Sequence, residues 1–230
     1  MLSVNVITID GPSGVGKGTA GGIIARKLKY NYLDSGALYR LLALAARRHK
    51  VSLTNESALV ALAGHFDIAF KKNDRGNIQT FLEGEDVSRA MRSETVAEFA
   101  SQLAIYSSVR SSLLDRQRLF AVAPGLIADG RDMGTVVFPD AQLKFFLTAS
   151  LDARIVRRHK QLIERGENVS LRAVQVQLEE RDRRDKSRLI SPLMPAEDAV
   201  EIDTSGMTAN EVVNTLLEIV SIKGLFAGAS

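Results

Sequence analysis

The stretch Val4-Asn5-Val6-Ile7-Thr8-Ile9-Asp10-Gly11-Pro12-Ser13-Gly14-Val15-Gly16-Lys17-Gly18-Thr19 decides how the chain is read. Its β-branched apolar run, Val4 to Ile9, predicts a strand buried on both faces of a parallel sheet. Ala20 to Leu28 predicts a helix. A strand, a glycine-rich turn and a helix in that order bring successive backbone N–H groups and a helix N-terminus onto one anion. Gly11, Gly16 and Lys17 meet the spacing G-x-x-x-x-G-K of a phosphate-binding loop, and Lys17 adds a mobile positive charge. The alternative is an ordinary glycine-rich turn, which gives no reason for a lysine at this spacing. Gly18 follows Lys17 and the hydroxyl arrives only at Thr19, which weakens the case for direct Mg²⁺ ligation by a loop hydroxyl.

Around this loop, 230 residues, 45% of them hydrophobic, suffice for one substantial core. Thirty Lys and Arg against 27 Asp and Glu leave a formal charge of +3. That small excess favours local anion sites over a generally basic nucleic-acid or membrane surface. The absence of Cys excludes disulfides, thiolate ligands and a Cys nucleophile, and it suits a reducing compartment. No basic region leads into an apolar signal segment, and runs such as Leu41 to Ala46 fall far short of the about 20 residues that span a bilayer. The expected location is cytoplasmic. No internal repeat or low-complexity linker divides the chain.

Downstream, Asp34-Ser35-Gly36-Ala37-Leu38-Tyr39-Arg40 leads into a predicted helix over 41–48, with Ser35 as N-cap. Arg40, early in that helix, is either a solvated arginine or a two-pronged anion donor. Thr54 to Gly64 predicts a short helix. Alternation at Phe66, Ile68 and Phe70, turn chemistry at Asn73-Asp74-Arg75-Gly76-Asn77 and a run from Ile78 to Leu82 predict an antiparallel excursion, with a second turn at Glu83-Gly84-Glu85-Asp86. Ser93 caps a helix with Val96, Phe99, Ala100 and Leu103 on one face, and another helix runs from Val109 to Ala121.

Leu126-Ile127-Ala128 predicts a short buried strand ending in Asp129-Gly130-Arg131-Asp132. In open α/β sheets, ligands bind beyond the carboxyl ends of the strands. Asp129 could therefore orient hydrated Mg²⁺, Arg131 neutralise a phosphate and Asp132 accept a hydrogen bond from a substrate amino group; an internally paired turn is the alternative. Gln142 to Thr148 predicts another buried strand. On the helix from Leu151 to Glu164, Arg154, Arg157 and Arg158 share a face that is either solvated or anion-binding. In the next helix Leu171, Val174 and Leu178 form an apolar stripe that continues as Arg181, Asp185 and Arg188, as if the helix left the core for a polar cleft. Pro192 and Pro195 end it, a last strand covers Ala199 to Asp203, and Thr208 caps the terminal helix. His49, His65 and His159 show no metal-ligand spacing, and no protein metal-ligand set is expected.

Taken together, the phrases at 11–19, 33–40, 82–88, 128–139 and Arg181-Asp182-Arg183-Arg184-Asp185 resemble bacterial cytidylate kinases over nearly the full chain. The resemblance implies an α/β fold of the P-loop type. A five-stranded parallel core (1–34, 123–150 and 196–230) carries a monophosphate-binding insertion (35–122) and an Arg-rich lid with its following helix (151–195). It implies transfer from ATP to CMP or dCMP with Mg²⁺, by a monomer. On the ATP side stand Gly11, Pro12, Ser13, Gly14, Val15, Gly16, Lys17, Gly18 and Thr19, with Arg157 and Arg158. On the CMP side stand Ser35, Arg40, Ser101, Arg110, Arg131, Asp132, Arg181, Asp185 and Arg188. Ser101, Arg110 and Asp132 are implied to read cytosine, Arg181 and Asp185 to face the sugar, and Arg40, Arg131 and Arg188 to meet phosphate. Lys17, Arg131 and Arg188 are the implied catalytic set.

Three other functions compete. A kinase for UMP, AMP or a non-nucleotide metabolite would keep Lys17 but not need Ser101 and Asp132. A regulatory protein would bind ATP without turning it over on CMP. A nucleic-acid-dependent ATPase would show polynucleotide affinity falling steeply with salt.

Overall fold

The computed structural model describes residues 4–72, 78–188 and 190–225. Two compact units divide the chain: one built from the segments up to Asp34 and from Arg118 onward, the other from Ser35–Gln117.

The first unit contains a five-stranded sheet of β1 (Val6–Asp10), β2 (Asn31–Asp34), β6 (Leu126–Asp129), β7 (Leu143–Thr148) and β8 (Val200–Asp203). Its order is β2-β6-β1-β7-β8, with every pairing parallel. All five residues of β1 are buried, as a central parallel strand covered on both faces requires. Helix α1 (Lys17–Leu28) packs on β6 and on the terminal helix α8 (Ala209–Ile222). Ile7, Ile9, Ile24, Leu28, Phe145, Leu147, Val213 and Leu216 belong to the resulting core. A capping box holds the start of α8: Thr208 accepts from the Glu211 backbone and Glu211 from that of Thr208. Helices α6 (Leu151–Glu164) and α7 (Leu171–Lys186) pair through Ile155, Leu162, Val174 and Leu178. The apolar stripe predicted on α7 is shorter than expected, because Leu171, in the first turn, is 51% exposed. Arg188 lies beyond the end of α7 rather than on it.

In the second unit, helix α2 (Ser35–Arg48) packs on α3 (Glu56–His65) and α4 (Glu94–Leu103), and α5 (Ser107–Arg118) follows. Ser93 caps α4 by accepting the Val96 N–H. Ser35 is the first residue of α2 rather than a side-chain cap, and its Oγ donates to Gln117 Oε1 at 2.8 Å. Strands β3 (Ile68–Lys72), β4 (Ile78–Leu82) and β5 (Glu85–Asp86) form an antiparallel sheet. The second predicted turn is thus confined to Glu83 and Gly84, and Glu85–Asp86 pair back onto β4 because those two residues at positive φ reverse the chain early. The turn read at 73–77 lies outside the described residues.

Candidate active site

Strands β1 and β6 are neighbours, with Ile9 opposite Asp129. The glycine-rich loop and the turn after β6 therefore leave the same end of the sheet side by side, where α/β sheets bind ligands. The loop hugs the sheet: a Cβ on Gly11, at φ +144°, would lie 2.2 Å from the carbonyl oxygen of Leu147. Only a residue without a side chain makes that approach.

Lys17 opens α1 and is buried, with Nζ donating to the carbonyl of Pro12 at 2.8 Å. Burial, and then the positive charge of Arg131, pulls its pKa down to about 7; Arg181 adds to the lowering, while Asp129 and Asp10 oppose it. Concentrated cations around a buried ammonium favour a polyanionic ligand over water. Gly16 and Thr19 are exposed at the mouth of the loop.

The three arginines of α6 diverge. Arg154 is buried, donates Nη1 to the carbonyl of Ser13 at 3.3 Å and forms a two-pronged ion pair with Asp182 of α7, at 3.0 Å and 2.7 Å. Arg157 turns to the loop after β8, donating to Thr204 Oγ1 at 3.1 Å and to the carbonyls of Thr204, Ser205 and Met207. Arg158 donates to Gln161 of its own helix. Fully buried Thr204 ties that loop to its surroundings, its Oγ1 lying 2.9 Å from the carbonyl of Thr148 and 3.2 Å from that of Val15.

The turn after β6 carries a second charged group. Arg131 donates Nε to Asp185 Oδ2 at 2.8 Å, and Arg188 donates Nη2 to Oδ1 of the same carboxylate. Burial raises the Asp185 pKa, but Arg131, Arg188 and Arg181 outweigh it and bring it to about 2. One carboxylate thus gathers arginines from the turn and from the end of α7. Asp132 is 4% exposed. Asp129 accepts from Tyr32 Oη at 3.0 Å. Burial pushes its carboxyl up to about 6 against the pull of Lys17 and Arg131. A Cβ on Gly18 would sit 3.5 Å from Asp129 Oδ2, so this carboxylate lies against the start of α1.

In the second unit, Ser101 is buried and its Oγ has no hydrogen-bond partner among the described residues. A buried hydroxyl in that state is a ready ligand contact. Arg110 is also buried; its guanidinium lies 5.9 Å from the Tyr39 ring and Nη1 is 3.4 Å from the carbonyl of Ala104. Arg40 is half-buried on α2.

Comparison with known proteins decides the family, since the model for cytidylate kinase matches residues 7–222. The chain belongs to the cytidylate kinase family. A cytidylate kinase of Stutzerimonas stutzeri is 54% identical over 96% of this chain and 97% of its own length. Those of Pseudomonas savastanoi (53% identical; 97% of this chain, 98% of that one) and Serratia proteamaculans (54%; 92% of each) are similarly near.

Three residues of this family member's site escaped the sequence reading. Asp10, 4% exposed, accepts the backbone N–H groups of Met133 and Gly134 at 2.9 and 2.8 Å, while burial pushes its carboxyl up to about 7 against those two donors. An acid ending an otherwise apolar strand was its one local signal. Tyr32 and Thr204 had none, because an aromatic in a strand and a threonine after one are both ordinary.

Proposed function

We infer that the chain transfers the γ-phosphoryl group of ATP to CMP or dCMP, giving ADP and CDP or dCDP, in pyrimidine nucleotide metabolism. One observation carries the reading: a phosphate-binding loop with its buried Lys17 stands beside the Arg131–Asp132 turn on adjacent parallel strands, in a chain of this family. In the transfer an acceptor phosphate oxygen bonds to the γ-phosphorus and the bond to the β–γ bridging oxygen breaks, leaving ADP. The acceptor is already an anion, so the protein's contribution is positioning and neutralisation of spreading charge.

The loop, Gly11 to Thr19, holds the ATP phosphates through its backbone donors, and Lys17 follows the transferred group. Arg158 belongs to the ATP side. Arg157 acts there through the loop it fastens, since its donors are engaged by Thr204, Ser205 and Met207. Arg40, Arg131 and Arg188 meet phosphate, with Arg131 and Arg188 serving catalysis. Ser101, Arg110 and Asp132 read cytosine, a role supported for Ser101 by its unpartnered buried hydroxyl. Ser35, Arg181 and Asp185 complete the acceptor set. These roles rest on the family resemblance.

Mg²⁺ belongs to the same proposal. No cluster of three or more His, Cys, Asp or Glu that could hold a metal is present among the described residues. Mg²⁺ needs no such cage: one or two carboxylates, substrate phosphates and waters suffice. Asp129, fixed by Tyr32 against the start of α1, fits the carboxylate part through the ion's water shell. When bound, the ion draws off charge from the phosphate oxygens. A cytoplasmic monomer completes the proposal; the lack of Cys agrees with that compartment, and no described helix is long and apolar enough to cross a membrane.

ADP formation with ATP and Mg²⁺ tests the reading, comparing CMP, dCMP, UMP, AMP and no acceptor. A strong preference for CMP and dCMP is expected. Turnover independent of acceptor, or faster with AMP, refutes it.

A further inference from the structure

The turn proposed to read the acceptor is fastened to β1 at both ends. On one side of Arg131 and Asp132, the Gly130 N–H donates to the carbonyl of Ile9 at 3.1 Å. On the other, the Met133 and Gly134 N–H groups both donate to the carboxylate of Asp10, one to each oxygen, at 2.9 and 2.8 Å. These two donors open a π-helical turn, Met133–Val137, and first-turn N–H groups have no partner within their own helix. Asp132 offers no side-chain cap to this turn. The cap comes instead from 123 and 124 residues earlier in the chain. Gly134 permits the approach, since a Cβ there would lie 2.9 Å from Thr8 Oγ1 and 3.1 Å from Lys144 Cδ. Between the anchors, Arg131 is drawn to Asp185, and Asp132 is held at φ −144°, ψ 26°, outside both the helical and the extended regions, with its side chain buried.

We propose that Asp10 is a positioning residue for acceptor recognition: its carboxylate, by taking both the Met133 and Gly134 N–H groups, sets where Asp132 presents its acceptor to the base of the monophosphate. The inference rests on the reading of Asp132 as a cytosine contact. In this role Asp10 acts through the turn, since each of its oxygens is taken by a backbone N–H. It is also the residue before Gly11, so one strand end serves two tasks: its backbone leads into the donor loop and its side chain holds the acceptor turn. Both oxygens are needed, because two donors converge. An amide in the same place keeps one acceptor and turns an N–H toward an N–H.

The test compares Asp10→Asn and Asp132→Ala with the parent chain, measuring kcat and KM for CMP, UMP and ATP, with amide hydrogen exchange at Met133 and Gly134. For Asp10→Asn we expect the CMP over UMP preference in kcat/KM to fall about tenfold, mostly through a higher KM for CMP, with KM for ATP changed by less than about twofold. Exchange at residues 133 and 134 should quicken while that of β1 and β7 stays slow. That exchange pattern also shows whether the variant keeps its fold. If Asp132→Ala abolishes discrimination and Asp10→Asn leaves it intact, the role of Asp10 is refuted and that of Asp132 stands. If Asp132→Ala itself leaves discrimination unchanged, the reading of the cytosine contact fails first. A parallel rise in KM for ATP and CMP, or uniformly faster exchange, reduces Asp10 to a general structural residue and overturns the proposal.

Discussion

Replacing Asp185 with Asn should destabilise the chain by about 3 kcal/mol at neutral pH, because breaking one partner of a buried ion pair costs about 3–5 kcal/mol. The carboxylate is 2% exposed, with Arg131 at 16% and Arg188 at 4%. Nothing in solvent replaces it for those guanidiniums. A second route gives a similar size: the pKa falls from 3.8 to about 2 in the fold, and at about 1.4 kcal/mol per unit the charged form contributes about 2 kcal/mol. The sign follows from the lowered value. The contribution is complete above the unfolded pKa and is lost as pH falls through about 4 toward 2, where the folded carboxylate takes up its proton. The amide cannot titrate, so the deficit of Asp185→Asn should shrink by about 1 kcal/mol between pH 7 and pH 3. Urea unfolding of both proteins at the two pH values, with m-values compared, measures this. A deficit below about 0.5 kcal/mol at pH 7, or one constant with pH, would refute the claim that this carboxylate holds the arginines together.

Lys17→Met should lower kcat by about 10²–10³-fold with KM for CMP nearly unchanged, as for loss of one preorganised charge at a transferring group; a loss confined to KM for CMP would place the lysine elsewhere. Burial and Arg131 hold Lys17 at a pKa of about 7 without ligand, so at pH 8 it is largely neutral. MgATP brings negative charge and restores the proton, so calorimetry at pH 8 in buffers of different ionisation enthalpy should show uptake of up to about one proton, vanishing in Lys17→Met. Thr204→Val removes the hydroxyl shared by Val15, Thr148 and Arg157 at constant shape. Stability should fall by about 1–2 kcal/mol and KM for ATP should rise, measured by urea unfolding and steady-state kinetics; no change in either would detach this loop from the ATP side.

Much of the first unit follows from contiguous sequence. The strand from Val6, the loop and the helix from Lys17 obey local rules: apolar β-branched residues, a glycine where the loop meets Leu147, and after it an apolar face through Ala20, Ile24 and Leu28 that carries the helix in spite of Gly18, Gly21 and Gly22. The buried strands at 126–129 and 143–148 were legible for the same reason. Local rules stopped where side chains chose partners. Spacing put Arg154, Arg157 and Arg158 on one face of α6, but Arg154 meets Asp182 and Ser13, Arg157 the loop after β8, and Arg158 its own helix. A shared face fixes the direction of the Cα–Cβ bonds, whereas a long flexible side chain goes to whichever acceptors lie within reach. Ser35, predicted as a cap, is instead the first residue of α2, and its hydroxyl donates to Gln117, 82 residues away.

By itself the sequence determined the parallel α/β architecture, the phosphate loop and the family, because each is written in residues adjacent along the chain or recurring at a fixed period. Only the tertiary structure decided that Asp10 caps the turn after β6, that Tyr32 holds Asp129, and that Asp185 collects Arg131 and Arg188. Most of these contacts join residues far apart in sequence, and the order of strands β2-β6-β1 in the sheet is what brings Asp10 and Tyr32 beside the turn. A buried carboxylate must find donors, and which donors it finds depends on which strand ends lie beside it.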